Sequence, residues 1–181
     1  MKYLLWVLAT AAVLAALVGL SGFLVPARYE ASASLRVEAP PEAIWNVLAA
    51  SEDYPAWRSD VGVVERIGTA ADMIWRETDG HGGVMRHDAS AGRHPDKFID
   101  RFETLGAPGN RGVPAGVAAA RGQRVLLLVS DAQGKTRVAI TETGEIPGVL
   151  ARFRARFMTG YDKGVRRLAE DLQGRLADHG G

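Results

Sequence analysis

The chain has 181 residues, with 22 basic and 21 acidic side chains and no cysteine. The near balance of charge argues against a dedicated nucleic-acid-binding protein, which should be strongly basic. The absence of cysteine excludes disulfides, thiol catalysis and cysteine-ligated metal.

The first element is an uncharged, apolar segment from Tyr3 to Val25. As a helix it spans roughly 30 Å of hydrocarbon, whereas the apolar core of a secretory signal has only about 7 to 15 residues. A retained transmembrane anchor over 3–25 is therefore favoured; the alternative is cleavage at the small-x-small pattern Ala31-Ser32-Ala33. Because Lys2 precedes the segment, we expect a cytoplasmic amino terminus and a single-pass membrane protein with a periplasmic domain.

One face of this segment carries Ala11, Ala15 and Gly19 at four-residue spacing. Such a small-xxx-small pattern would let two anchors pack closely as a weak homodimer. The alternative is that alanine is simply common in segments of this kind.

After a short linker over 26–30, about 150 residues remain, which is enough for one domain and too few for two. Alternation of polar and apolar residues predicts a first strand from Ala31 to Glu38. Pro40-Pro41 ends it and starts a short helix. Ser51 suits the cap of a second short helix, which leads to an aromatic corner at Tyr54-Pro55-Ala56-Trp57.

Six further segments alternate with a period of two, and the Gly, Pro, Asp and Asn clusters between them are typical of turns. They predict an antiparallel meander with strands at 61–67, 73–78, 84–89, 98–104, 123–130 and 137–146. Asp131-Ala132-Gln133-Gly134 predicts a hairpin between the last two strands.

Beyond Pro147 the period changes to that of a helix, which predicts one long amphipathic helix. Its apolar positions are Leu150, Phe153, Phe157, Tyr161, Val165, Leu168, Leu172 and Leu176. The other face is basic, with Arg152, Arg154, Arg156, Lys163, Arg166 and Arg167. These charges are either solvated or, in the alternative, in contact with anionic lipid headgroups.

This order of elements resembles the helix-grip superfamily that includes START lipid-transfer domains, the birch-pollen allergen and polyketide cyclases (SRPBCC). The resemblance covers about 32–177 and rests on the motifs VEAPPEAIWNVL at 37–48, YPAW at 54–57, WRE at 75–77 and TRVAITETGE at 136–145. It implies an α+β domain over 31–178, in which a curved antiparallel sheet wraps around the long C-terminal helix and encloses an apolar cavity. The segment from Gly106 to Gly122 departs from the pattern because its glycines and prolines make a poor strand. We expect either a loop over the cavity mouth or a damaged stretch of the reading frame.

Alternation also predicts which side chains face the interior. The inward sets are Met73, Trp75 and Glu77, then Phe98, Asp100 and Phe102, then Val138, Ile140 and Glu142. We expect the ligand-binding residues to be Trp75, Glu77, Phe98, Asp100 and Phe102, with Phe153 and Phe157 from the helix. Burial would raise the pKa of the three carboxyl groups and permit acid–base chemistry. The alternative is that they reach solvent or pair with Arg76, Arg86 or Arg101, since a slip of one residue inverts every assignment.

No residue pattern predicts a catalytic nucleophile, a metal site or a cofactor. His81 lies among glycines, His94 precedes a proline and His179 is at the tail, so their convergence with His87 on one ion is not expected.

Two functional classes follow from these observations. The favoured one is a non-catalytic, membrane-tethered domain that holds a lipid or another hydrophobic small molecule in its cavity. The alternative is an enzyme of the cyclase or dehydratase kind, in which an inward carboxylate acts as the acid or base.

Overall fold

The computed structural model describes residues 2–69, 72–105 and 118–178. The apolar segment forms helix α1 (Lys2–Leu24). Among the described residues it is the one helix whose length and apolar composition would allow it to cross a membrane. Nearly all of its side chains are exposed, and Gly22, near its C-terminal end, is buried.

The elements after α1 come in the predicted order of strand, short helices, meander and C-terminal helix. The strands are β1 (Arg28–Val37), β2 (Val63–Arg66), β3 (Ile74–Thr78), β4 (Val84–Arg93), β5 (Lys97–Leu105), β6 (Ala118–Ser130) and β7 (Thr136–Glu145). The helices are α2 (Pro41–Ala49), α3 (Tyr54–Trp57), α4 (Val149–Arg154) and α5 (Lys163–Ala177), with a 3-10 turn at Ser51–Asp53 and a π-helical turn at Ala155–Thr159.

All seven strands belong to one antiparallel sheet in the order β1-β7-β6-β5-β4-β3-β2. The predicted meander is confirmed, and the first strand pairs with the last. β1 begins at Arg28 rather than Ala31 because Arg28 already pairs with Glu145. In the predicted hairpin, the Asp131 amide donates to the Lys135 carbonyl at 2.8 Å and Gly134 has a φ of 79°.

The expected poor strand at Gly106 to Gly122 was partly wrong. Strand β6 begins at Ala118, and Gly122 pairs with Phe102 on one side and Gly144 on the other. Its position between two paired strands offsets the weak intrinsic preference of glycine for a strand. The remainder of that segment, 106–117, lies outside the described residues.

The hydrophobic core lies between the sheet and helices α2 and α5. Helix α2 contributes Ile44, Trp45 and Leu48, and α5 contributes Val165, Leu168 and Leu172. They pack against inward residues of the sheet, among them Leu35, Trp75, Phe98, Leu126, Leu128, Val138 and Ile140. The C-terminal helix α5 therefore packs against the inner face of the sheet, as the resemblance implies.

The prediction of one continuous C-terminal helix was wrong. The helix is interrupted at Gly160, whose φ of 78° is left-handed and whose amide donates to the Ala155 carbonyl at 2.9 Å, closing the π-helical turn. Only α5, which follows the break, packs in the core. We call residues 149–159, which comprise α4 and the π-helical turn, the elbow segment.

The elbow segment packs against the end of α1 instead of the sheet. At Gly22 the two helices approach so closely that a Cβ atom would lie 2.5 Å from the Val149 carbonyl oxygen and 3.2 Å from Cβ of Phe153. Arg152 donates from Nη1 to the Val25 carbonyl at 3.2 Å. A cation at this point also interacts favourably with the negative C-terminal end of the α1 dipole.

Candidate functional site

The strand register brings charged side chains together on the inner face of the sheet. One lateral row runs Ala31, Glu142, Arg124, Asp100 and Ala89 across five strands. All five are buried, and each of the three charged residues is no more than 9% exposed. Arg124 lies in the middle of the row, between the two carboxylates.

Arg124 connects these two carboxylates. Its Nη2 and Nε donate to Oε2 of Glu142 at 2.7 and 2.9 Å, and its Nη1 lies 3.5 Å from Oδ2 of Asp100. The guanidinium lies over the Phe102 ring at 5.6 Å. Burial alone would lower the pKa of Arg124, but the two carboxylates outweigh it and raise that pKa, so the guanidinium stays charged.

His87 continues the chain of charges from Asp100 to Glu77. Its Nδ1 lies 2.9 Å from Oδ1 of Asp100, and its Nε2 lies 3.4 Å from Oε2 of Glu77. The imidazole stacks on the Trp75 indole, with centroids 5.0 Å apart and planes 4° apart. Burial works to lower the pKa of His87, yet the two carboxylates raise it above its ordinary value, which favours the imidazolium.

Glu77 is the point where the network reaches the short helices. Its Oε1 accepts from Nη1 of Arg58 and from Nε1 of Trp75, both at 2.8 Å. Burial works to raise the pKa of Glu77, but His87 and Arg58 hold it at about 2. The expectation that burial would raise this pKa was therefore wrong, because three charged or polar donors face the carboxylate.

The expected alternative partners of the inward carboxylates, Arg76, Arg86 and Arg101, were also wrong because all three lie on the opposite face of the sheet. Arg76 pairs with Glu65 at 2.9 Å and Arg86 lies 3.5 Å from Glu103, both on the outer face of the sheet. The partners are instead Arg58, His87 and Arg124. With His87 protonated, these three cations equal Glu77, Asp100 and Glu142 in number. We call these six residues the charge network. Arg58 also pairs with the partly exposed Asp60 at 3.0 Å.

Two glycines make room for the aromatic rings that cover one end of the charge network. A Cβ atom on Gly144 would lie 2.6 Å from the Tyr29 ring, and one on Gly122 would lie 2.7 Å from the Phe102 ring. In the space so provided, the Tyr29 hydroxyl donates to Oε1 of Glu142 at 2.9 Å. Burial and the Glu142 charge raise the pKa of Tyr29, so the phenol remains a donor.

A cleft of about 260 Å³ lies beside Tyr29, where the C-terminal helix is interrupted. The Tyr29 ring stacks on Tyr161 with centroids 5.0 Å apart and planes 8° apart. The lining residues are Tyr29, Ile146, Ala151, Arg154, Ala155, Gly160 and Tyr161. The cleft therefore combines apolar walls with one arginine and two phenol rings, and Tyr29 links it to the charge network.

A larger cavity of about 800 Å³ is lined mostly by residues of the outer face of the sheet, together with Tyr29, Phe102, Gly122 and Gly144. Its lining includes eight charged side chains, Arg28, Glu30, Arg86, Asp88, Arg101, Glu103, Arg121 and Glu145. Opposite charges alternate there across neighbouring strands, as in Arg28, Glu145, Arg121 and Glu103. Such a surface does not suit an apolar molecule.

The predicted ligand-binding residues fall into two groups. Trp75, Glu77, Phe98, Asp100 and Phe102 are all buried on the inner face, so their predicted orientation is confirmed. Phe153 and Phe157 lie instead on the elbow segment, where Phe153 is half-buried beside α1 and Phe157 is exposed. At the level of the charge network, packed and ion-paired side chains occupy the space expected to be an apolar chamber. Whether these seven residues contact a ligand stays a prediction.

Sequence reasoning missed Arg58, His87, Arg124 and Tyr29. Arg124 shares its strand face with the core residues Leu126 and Leu128, so alternation alone could have placed it inward. Arg58 follows α3, and no periodic pattern indicates its partner.

Among the described residues, no three metal-ligating side chains are arranged to hold an ion. His179, weighed in the sequence as a ligand, lies outside the described residues.

Comparison with known proteins identifies solved structures of similar fold. No family model and no curated protein matches the chain. Among solved structures, a START superfamily protein from Mycobacterium smegmatis is 15% identical with a TM-score of 0.61, over 83% of this chain and 98% of that chain. The Zhui aromatase/cyclase from Streptomyces sp. R1128 is 12% identical with a TM-score of 0.63, over 85% and 96%.

Norcoclaurine synthase from Thalictrum flavum, solved with a transition-state analogue, is 12% identical with a TM-score of 0.57, over 85% of this chain and 97% of that chain. The match covers nearly the whole length of each of these structures. The chain therefore has the START-like helix-grip fold, preceded by one apolar helix that is long enough to span a membrane.

Proposed function

We propose that this protein is a membrane-tethered domain that binds a lipid or another hydrophobic small molecule. In this proposal α1 crosses the bilayer and the helix-grip domain lies on the periplasmic side. The fold is compatible with small-molecule binding, since solved proteins of the same fold include an aromatase/cyclase and a synthase bound to a transition-state analogue. Fold alone does not choose among such activities, so the site itself must support the choice.

The main observation in support of the proposal is that the cleft lies where the C-terminal helix is interrupted. It lies between the ends of β1 and β7 and the elbow segment, which contacts the last turn of α1. An apolar molecule leaving the bilayer next to α1 could reach this cleft over a short path. Ile146, Ala151 and Ala155 offer apolar contacts, and Arg154 offers a cation for a polar or acidic head.

The size of the cleft restricts the ligand. Sites for drug-sized molecules usually measure about 300 to 1,000 Å³, and this cleft measures about 260 Å³. We infer that it holds one portion of an amphipathic molecule, such as a short alkyl segment with its head, while the rest stays in the bilayer or displaces the elbow segment.

The buried carboxylates lend little support to the alternative of a cyclase or dehydratase. A general base works best when its pKa is near the operating pH, and the pKa of Glu77 is held at about 2. Asp100 and Glu142 are buried and engaged by His87 and Arg124. The charge network instead suits a structural role, in which its ion pairs and its bond to Tyr29 hold this side of the cleft rigid.

Native mass spectrometry of the full chain, released from a mild detergent, tests the proposal. We expect a bound apolar species on the unmodified protein and its loss in Ala155→Phe, which fills the cleft. Ala132→Phe, in the exposed hairpin, is the control and should keep the species. Lipids that merely surround α1 should remain bound to both variants, so a difference in bound mass between the variants reports on binding in the cleft. An unmodified protein with no bound species, or equal retention by both variants, would contradict the proposal.

A further inference from the structure

Large apolar side chains are exposed on the elbow segment. Leu150, Phe157 and Met158 are 68%, 60% and 74% exposed, respectively. The last residues of α1, Phe23 and Leu24, are similarly exposed at 68% and 75%. Large apolar side chains exposed on neighbouring elements often mark a contact with a partner or a membrane.

The contact between the elbow segment and α1 fixes where this surface lies. The backbones meet at Gly22, where the Val149 carbonyl leaves no room for a Cβ atom, and Arg152 donates to the Val25 carbonyl at 3.2 Å. The elbow segment is therefore level with the last turn of α1. If α1 spans a bilayer, that turn is where the chain passes from hydrocarbon to headgroups.

The charges of the elbow segment fit that position. It carries Arg152, Arg154 and Arg156 and no acidic residue. The Arg156 guanidinium lies 5.9 Å from the centroid of the Phe157 ring. A short basic segment with large apolar side chains is typical of elements that lie in a membrane interface, and arginines near the surface are attracted to anionic lipids.

We propose that the elbow segment is a second membrane contact, which lies in the bilayer interface with Leu150, Phe157 and Met158 at the acyl boundary and its arginines at anionic headgroups. This inference rests on the proposed membrane span of α1. It goes beyond tethering, because two contacts fix the orientation of the domain. The cleft behind the elbow segment would then face the lipid surface.

Site-directed spin labelling of the full chain in lipid vesicles tests the inference, and the chain has no native cysteine to compete for the label. Phe157→Cys and Met158→Cys report on the elbow segment. Val129→Cys is the matched control, because Val129 is 61% exposed and lies at the far end of the sheet. Leu14→Cys reports on α1. Accessibility to oxygen, which enters hydrocarbon, is compared with accessibility to a water-soluble nickel chelate.

We expect oxygen accessibility to exceed nickel accessibility several-fold at 157 and 158 and the reverse at 129. Labels at 157 and 158 that behave like the label at 129 would overturn the inference. Spin–spin broadening at these positions that disappears on dilution with unlabelled protein would show a second copy on this surface and would also overturn it. If the label at 14 lies in hydrocarbon while those at 157 and 158 lie in water, only this inference fails; if the label at 14 is in water, the span itself fails.

The lipid composition tests the role of the arginines. With vesicles containing one quarter phosphatidylglycerol, the labels at 157 and 158 should lie deeper than in pure phosphatidylcholine. Arg154→Gln with Arg156→Gln should abolish that difference; Arg152 is left intact because it also binds the end of α1. A depth that is independent of anionic lipid in the unmodified chain would refute the headgroup contact.

Discussion

Arg124→Met removes the cation that two buried carboxylates share. The methionine fills part of the space, but among the described residues Glu142 keeps only the Tyr29 hydroxyl and Asp100 keeps only His87. Removing one partner of a buried ion pair usually costs about 3 to 5 kcal/mol, because the remaining charge stays buried. For a chain of this size, each kcal/mol lowers Tm by about 2 to 4 °C, so we expect a decrease of roughly 6 to 20 °C.

The control is Arg121→Met on the same strand. Arg121 is 73% exposed and pairs with Glu145 of the same neighbouring strand at 3.1 Å, but on the outer face. A surface pair of this kind contributes about 0 to 1 kcal/mol. Unfolding in detergent is followed by near-ultraviolet circular dichroism, which reports on the packed domain. Adding Glu142→Gln to Arg124→Met should recover part of the loss. Equal Tm values for the two single variants, or no recovery, would refute the account of the charge network.

Three further predictions concern other features. The folded-state pKa of His87 is raised, so its contribution to stability is fully present below the unfolded pKa of about 6.5 and is lost as pH rises through the folded value. The difference in stability between the unmodified protein and His87→Gln should therefore shrink when it is measured from pH 6 to 9. A constant difference would contradict the imidazolium. Gly144→Ala should push the Tyr29 ring aside and destabilise the domain by about 1 to 3 kcal/mol, with loss of near-ultraviolet signal; an unchanged unfolding midpoint would show that the ring can move freely. Gly160→Ala should cost about 1 to 2 kcal/mol because φ is 78° there. Gly174→Ala, inside α5 with open space around it, should instead stabilise by up to about 1 kcal/mol. Denaturant titration that ranks the two variants in the opposite order would refute the role of Gly160.

The strands were predictable because each has one buried face, and such strands alternate with a period of two. The break at Gly160 was not. Leu150 and Phe157 continue the helical spacing of Val165 and Leu172, although only the latter pair packs in the core. Apolar periodicity shows that a face avoids water, but it does not distinguish a sheet from another apolar environment.

The inward carboxylates were predictable for the same reason, whereas their partners were not. Arg58 reaches Glu77 from a different element, and a contact between elements leaves no periodic signal in the sequence. The register places Arg124 beside Asp100 and Glu142, but the register follows only once the strand pairing is known. The pKa of Glu77 depends on these partners, so its direction could not be obtained from burial alone.

The pairing of β1 with β7 has a consequence for synthesis of the chain. Tyr29 and Glu142, which bond across these strands, are 113 residues apart. At about 5 to 20 residues per second, β1 is made roughly 6 to 23 s before its partner. During that interval it lies directly after the apolar helix with an unpaired edge, which is a hazard for aggregation. Early residence of α1 in a bilayer would keep neighbouring nascent chains apart while the last strand is completed.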